Sequence, residues 1–280
     1  MSATLRRLLR LSLYLGFTLP LMPLQAVLVA VRSPLADRLP RFYHHWSSRI
    51  LGFRVVVAGT PSPVRPTLFV ANHISYVDIE VLGGWIEGSF IAKHEVARWP
   101  LFGRLAKLQR TVFIDRRQRS TADQRNAIRE RLDRGDNLIL FPEGTSGDGA
   151  RVLPFKSALF SVADYHGPHG PLSVQPVSLA YVRLDGIPLG RFYRPFVAWY
   201  GDMGLAPHLW AMLGMGVVGV EVTFHPPVTM AAFDSRKALA EHCWRVIGAA
   251  VSGAIAGRTQ EWSPTAAERP APVRAAVGAE

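Results

Sequence analysis

Cysteine is almost missing from this chain: Cys243 is the single one in 280 residues. One thiol closes no internal disulfide and builds no thiolate metal cluster. Nothing in the sequence therefore asks for an oxidising compartment, and cytosolic exposure is the default. Charge is also scarce, at 19% of residues, and acids are outnumbered, 21 against 32 Lys and Arg. No Walker loop is present, so nucleotide cofactors find no support. No Gly-x-Ser-x-Gly occurs, which removes the serine-hydrolase elbow. No internal repeat is visible. What is abundant is apolar surface: 49% of residues are hydrophobic, ample for a sizeable core. That balance excludes a disordered chain, a collagen and a disulfide scaffold. The length suits one large domain or two small ones.

The net charge of +11 is unevenly placed. Residues 1–50 hold seven Arg against one acid, and residues 93–134 hold twelve basic against five acidic residues. These two blocks carry the whole excess. A basic face meets nucleic acid, an anionic membrane or an acidic ligand. No recognised nucleic-acid motif accompanies the charge, so no nucleic-acid partner is expected.

Leu11 to Val31 carries no charge for 21 residues, with Arg6, Arg7 and Arg10 before it and Arg32 after it. That is long enough to span a bilayer. Pro20 and Pro23 interrupt it, and each removes a helical N–H. The pattern predicts two apolar helices, about 3–18 and 24–31, followed by an amphipathic helix over about 35–49. Four readings stay open: a hairpin dipping into one leaflet, a kinked span, a buried core hairpin, and a cleaved signal peptide. Membrane association is common to the first two.

From residue 51 the chain alternates. Apolar β-branched runs at Phe53–Val57, Thr67–Ala71, Ser89–Ala92, Thr111–Ile114, Asn137–Phe141, Ser173–Ala180 and Val218–Phe224 read as strands. Helical patterns lie near 76–84, 100–107, 120–134 and 155–165, and a last helix over about 234–252 begins with an Asp cap. The expectation is an α/β fold, a mostly parallel sheet with flanking helices, preceded by a membrane-associated helical hairpin. The segments are 1–50 for the hairpin, 51–257 for the αβ domain and 258–280 for a disordered tail rich in Ala and Pro.

Asn72-His73-Ile74-Ser75-Tyr76-Val77-Asp78 follows an apolar strand, where sheet ligands collect. Five helical residues overshoot a full turn, so His73 and Asp78 meet only if His73 sits in the turn and Asp78 opens the helix. A carboxylate on one imidazole nitrogen would leave the other as a base for an alcohol. The plain alternative is a buried turn histidine with a helix-start acid. Phe141-Pro142-Glu143-Gly144-Thr145-Ser146 follows another strand and offers donors for an anion, or is simply a Gly-rich turn. Arg116, ending Phe113-Ile114-Asp115-Arg116, would fork onto an anionic group, or is a solvated surface residue.

Together these stretches, with Val174-Gln175-Pro176-Val177, resemble the four ordered blocks of the lysophospholipid acyltransferases, the 1-acyl-glycerol-3-phosphate acyltransferase group. The resemblance covers about residues 50–230. It extends to Ile91-Ala92-Lys93-His94-Glu95, Trp99-Pro100-Leu101-Phe102-Gly103 and Pro154-Phe155-Lys156-Ser157. It implies His73 as general base and Asp78 as its orienting partner. It implies a substrate-binding set of Asn72, Arg116, Glu143, Gly144, Thr145, Lys156 and Pro176. The reaction implied moves an acyl chain from acyl-CoA or acyl-carrier protein, a co-substrate thioester, to a lipid hydroxyl, with no metal, no cofactor and no covalent intermediate. Phosphatidate from 1-acyl-glycerol-3-phosphate is the leading product. The partners are a membrane lipid, the lysolipid acceptor and the thioester carrier. The location is the inner (cytoplasmic) membrane with the αβ domain facing the cytosol.

Two departures qualify the acceptor. The third block commonly has Arg where Ser146 stands, and the second commonly has Gly where Arg110-Thr111 stand. Losing a phosphate-facing Arg removes charge-assisted binding of about 1.5–3 kcal/mol. Leu108-Gln109-Arg110-Thr111-Val112-Phe113, Ser146-Gly147-Asp148-Gly149 and Gly201-Asp202-Met203 with Pro207-His208-Leu209-Trp210 are similar to the branch that acylates lyso-ornithine lipid, whose head group is an amino acid without phosphate. That branch is the alternative. A non-catalytic membrane or acyl-carrier-binding protein on the same fold is the rival of another class.

Overall fold

The apolar β-branched runs pair side by side because their backbone groups, buried away from water, need partners. The computed structural model describes residues 2–114 and 122–258, the side chains of 122–125 excepted. Among the described residues seven strands form the main path of a nine-stranded sheet: β1 (Phe53–Ala58), β2 (Thr67–Ala71), β3 (Ser89–Lys93), β4 (Val112–Ile114), β5 (Leu138–Leu140), β6 (Ser173–Leu184) and β7 (Val218–Phe224), while the short pieces Ile187–Pro188 and Val228–Thr229 pair onto β6. Their order is β1-β7-β6-β2-β5-β3-β4. Only the β7–β6 pairing along this path is antiparallel. β2 is buried at every position and β6 at its first ten, as central strands covered on both faces must be. β6 runs four residues beyond its expected end at Ala180.

Helices cover both faces. On one side lie α1 (Ala3–Ala30), α2 (Leu35–Leu51), α3 (Val77–Gly83), α4 (Phe102–Leu108) and α6 (Leu205–Leu213). Phe69, Ala71, Val177, Leu179 and Tyr181 face this side and pack with Val77, Val81 and Met212. The other face carries α5 (Ala122–Asp133) and α7 (Arg236–Ile255) over Leu68, Val70 and Val174. Odd and even strand positions thus feed two separate cores.

Several expectations are corrected. The N-terminal segment is one helix of 28 residues that runs through Pro20 and Pro23 without a break. Both rings point to the exposed side, while the inner side is held by Arg10, Tyr14, Thr18 and Gln25. Each proline removes one N–H, and the tethered face keeps the helix going past the loss. Within the helical pattern expected near 155–165, residues 157–164 form a 3-10 helix. α7 is capped by Ser235, whose Oγ accepts from Ala238 N–H at 3.2 Å, not by Asp234. α6 has no counterpart in the sequence-based expectation. The α5 segment is helical from Ala122, while Arg116 and the tail beyond Arg258 lie outside the described residues.

One glycine spelling, Gly214-Met215-Gly216-Val217-Val218-Gly219, matches the dinucleotide fingerprint. It leads from a helix into a strand, the reverse of that fingerprint, which opens a helix after a strand. Its loop is already occupied: the Arg10 guanidinium donates to the carbonyls of Leu213, Met215 and Gly216 at 3.2, 2.8 and 3.0 Å.

Candidate active site

β2 and β5 end side by side, and each delivers a loop to the same end of the sheet. After β2 the chain turns through His73 and starts α3, which places Asp78 in its first turn. His73 Nδ1 lies 2.8 Å from Asp78 Oδ2. The same oxygen accepts the N–H groups of Ile74 and Ser75 at 2.8 and 3.0 Å. Asp78 Oδ1 accepts from the Tyr181 hydroxyl at 2.8 Å. Asp78 is 0% exposed, so it is a buried carboxylate met on every side by donors. Such an acceptor holds a proton on His73 Nδ1 and leaves Nε2 with its lone pair. The imidazole stacks on Phe141 at 4.2 Å, and its side chain is 22% exposed, open on the remaining side.

The loop after β5 supports this turn from below. Gly144 has φ +73°, a conformation glycine adopts without a Cβ clash, and its N–H donates to Phe141 O at 3.2 Å. That turn sends Glu143 inward, where it is 2% exposed. One Glu143 oxygen accepts His73 N–H at 2.7 Å and the other accepts Leu153 N–H at 3.0 Å. Burial pushes its carboxyl up to about 8, against the two backbone hydrogen bonds, with Asp78 adding to the rise. Gly147 N–H donates to His73 O at 2.9 Å, and Trp199 N–H to Ile74 O at 2.8 Å. Ser146 Oγ donates to Trp199 O.

The expected substrate-binding residues therefore divide. Asn72 is buried with its amide closed onto the backbone N–H and C=O of Leu179, both at 2.8 Å, so it ties β2 to β6. Glu143 and Gly144 shape the turn under His73. Pro176 sits within β6 opposite Val70, on the face turned away from His73. Thr145 and Lys156 are exposed near the same loop, Lys156 N–H donating to Pro142 O at 2.9 Å. Arg116 is outside the described residues. Tyr181 was missed from sequence. Its signal is a polar-tipped aromatic in a continuous buried strand, but its partner lies 103 residues away.

An apolar cavity of about 210 Å³ lies between α1, α2, α3 and α4, separated from His73 by the Phe90 and Phe141 rings. Tyr76, Val77 and Phe90 line it, and Phe90 stacks on the Phe141 that carries His73. Its wall at Tyr76 is held by His208: that ring donates from Nε2 to Ala198 O at 3.0 Å, so Nδ1 accepts from the Tyr76 hydroxyl. One polar cluster interrupts the apolar lining. Glu80, two residues after Asp78, accepts from Tyr14 at 3.2 Å and from Ser47, and meets His44 Nδ1 at 2.8 Å. Burial pushes the Glu80 carboxyl up, but His44 and these hydrogen bonds outweigh it and hold it below its ordinary range. Among the described residues no group of three or more His, Cys, Asp or Glu side chains converges as metal ligands would.

Comparison with known proteins places this geometry. A family model described as Acyltransferase matches residues 54–180. The lyso-ornithine lipid O-acyltransferase of Brucella abortus is 42% identical over 262 residues, covering 92% of this chain and 98% of that protein. The 1-acyl-sn-glycerol-3-phosphate acyltransferase of Neisseria gonorrhoeae is 36% identical over 197 residues, covering 69% of this chain and 73% of its own length. The crystal structure of the 1-acyl-sn-glycerophosphate acyltransferase of Thermotoga maritima shares the fold, with a TM-score of 0.66 at 24% identity over 93% of this chain and 96% of that one.

Proposed function

The chain belongs to the acyltransferase family, and we propose on that premise that it esterifies the free hydroxyl of lyso-ornithine lipid at a membrane surface. The observation that carries the chemistry is the His73–Asp78 pair, with one nitrogen held and the side chain partly exposed. His73 Nε2 takes the proton of the acceptor hydroxyl. The oxygen attacks the thioester carbonyl of acyl-CoA or acyl-carrier protein. The tetrahedral intermediate collapses, the C–S bond breaks, and the imidazolium returns the proton to the leaving thiolate. Asp78 stabilises the imidazolium and fixes the ring. The cavity takes an acyl chain. Asn72, Glu143 and Gly144 are positioning residues that hold the turn, and Arg116, Thr145 and Lys156 are contacts for the acceptor head group.

The choice of acceptor is supported by the relatives, since the lyso-ornithine lipid enzyme of Brucella matches almost end to end and the Neisseria enzyme over a shorter stretch. Ser146 supports it as well: an arginine there would meet a phosphate, whereas the serine hydroxyl is bonded to Trp199 O. The similarity to the Neisseria enzyme favours 1-acyl-glycerol-3-phosphate as a second acceptor.

The N-terminal helix supports membrane docking in one leaflet rather than a crossing. From Arg6, bonded to Gly214 O, to Gln25, bonded to Leu108 O, the helix follows the αβ domain. That is about 28 Å at 1.5 Å per residue. A helix tied to the domain at both ends does not leave it to cross a bilayer. Its outward side bears Leu5, Leu8, Leu9 and Leu13, all exposed. The inner membrane with the domain in the cytosol is the location this reading assigns.

The test is an assay in detergent micelles with each thioester donor and each acceptor. Turnover on lyso-ornithine lipid exceeding that on lysophosphatidate supports the reading. Turnover on lysophosphatidate alone replaces the acceptor. Absence of thioester consumption with both acceptors would leave a non-catalytic binding protein, and an undiminished rate in His73→Ala would overturn His73 as the base.

A further inference from the structure

After β6 the chain makes a tight hairpin at Asp185-Gly186, pairs Ile187 back onto Leu184, and then runs through Arg191-Phe192-Tyr193-Arg194 to Phe196. Among the described residues the large side chains of this segment are left largely uncovered. Phe192 is 76% exposed and Ile187 70%, and Tyr193 and Phe196 are exposed as well. Isolated exposed apolar residues are ordinary, but two phenylalanines, a tyrosine and an isoleucine within ten residues are not. Arg191 and Arg194 flank the Phe192–Tyr193 pair, Arg191 exposed and Arg194 half-buried. Aromatic rings flanked by arginines suit the boundary between headgroups and acyl chains, where rings are half solvated and guanidinium meets phosphate.

The position of the segment strengthens the reading. Asp185 exchanges hydrogen bonds with Val217, at 2.7 and 2.8 Å, and Val217 is itself exposed. The adjoining Gly216 carbonyl is held by Arg10 of α1. Arg7 lies 5.6 Å over the exposed Trp210 ring. The hairpin thus adjoins the loop after α6 that Arg10 of α1 clamps. We propose that residues 187–196 are a second membrane-contact element, seated in the headgroup region of an anionic bilayer beside α1. The inference rests on the membrane docking of α1 proposed above. It has a consequence for the site. Val197 to Trp199 lead directly from this segment to the Trp199–Ile74 and Ser146–Trp199 hydrogen bonds, so seating the segment brings the turn of His73 to the lipid surface.

Spin labelling of the full chain tests it. The native Cys243 is 0% exposed and does not compete for label. Leu9→Cys on α1, Phe192→Cys on the segment and Glu241→Cys on the exposed side of α7 would each be labelled and bound to vesicles of phosphatidylglycerol and phosphatidylcholine. The expected result is that the labels at 9 and 192 gain contact with oxygen and lose contact with a water-soluble relaxant, while the label at 241 stays aqueous. A label at 192 that matches 241 while 9 is embedded overturns the inference and leaves α1 docking intact. A label at 9 that stays aqueous overturns the docking reading itself. A label at 192 that is aqueous on vesicles and shielded only when acyl-carrier protein is added overturns the inference in favour of a carrier contact.

Discussion

His73 keeps one ring nitrogen for chemistry because Asp78 occupies the other, and the burial of Asp78 makes that division strict. Asp78→Asn preserves shape but turns an amide N–H toward Nδ1, favouring the wrong tautomer. The expected outcome is a fall in kcat of about three to four orders of magnitude with the acceptor KM little changed; a rate within tenfold of the parent would show that the carboxylate does not set the tautomer. Glu143 gives a pH signature of a different kind. Its carboxyl titrates near 8 when folded and near 4.5 when unfolded, so between these values the folded state holds the extra proton. Stability should therefore fall as pH rises from about 4.5 to about 8. In Glu143→Gln that part of the slope should vanish, which melting temperatures across pH 5–9 would reveal; identical profiles in both proteins would contradict it. At this scale the sequence showed residue types but not their partners. The His73–Asp78 pair was legible because a strand, a turn and a helix start lie within seven residues. The backbone partners of Asn72 and Glu143 were not legible, because a carboxylate or amide after a strand looks the same whether it faces a ligand or closes onto a backbone. The distant Tyr181 was invisible for want of local spacing.

α2 and α3 meet backbone to backbone. A Cβ added at Gly83 would lie 2.5 Å from His44 Cδ2, and one at Gly84 would lie 3.0 Å from the His45 Cα. That closeness lets His44 reach Glu80, which stands two residues after Asp78. Gly83→Ala should push the two helices apart and cost about 1–3 kcal/mol of stability, read as a lowered melting temperature; an unchanged value would mean that the contact yields freely. The strands were read well because β-branched runs bounded by turn residues leave few alternatives. The amphipathic α2 was legible from its period, with Tyr43, His44, Ser47, Ser48 and Leu51 on one buried face. The unbroken α1 was not legible, since local proline chemistry predicts a break and only tertiary bonds from residues far along the chain override it. α6 escaped notice because Leu205–Leu213 is apolar nearly all round and carries no polar cap.

The two basic blocks look different once the whole molecule is in view. Arg6 and Arg10, expected among lipid headgroups, bind the carbonyls after α6, where a helix end leaves acceptors unmatched. Arg131, in the second block, bridges Asp136, Ser89 and the Arg110 carbonyl. Arg32, Arg38 and Arg49 stay exposed on the helical pair. Vesicle binding should then have a modest electrostatic part, about 1 kcal/mol per arginine near the surface, on a larger apolar one. Raising salt from about 0.1 to 1 M, which shortens screening from about 10 to 3 Å, should weaken binding to anionic vesicles but leave a residue equal to that on neutral ones. Complete release by salt in sedimentation would refute the apolar anchor. The clamp of Arg10 on Gly216 has one more consequence, in the order of synthesis. α1 leaves the ribosome ahead of the carbonyls that hold it, which follow 203 to 206 residues later. At 5–20 residues per second that is a wait of roughly 10–40 s, during which the growing chain carries a bare apolar helix that the bilayer or a chaperone must shelter.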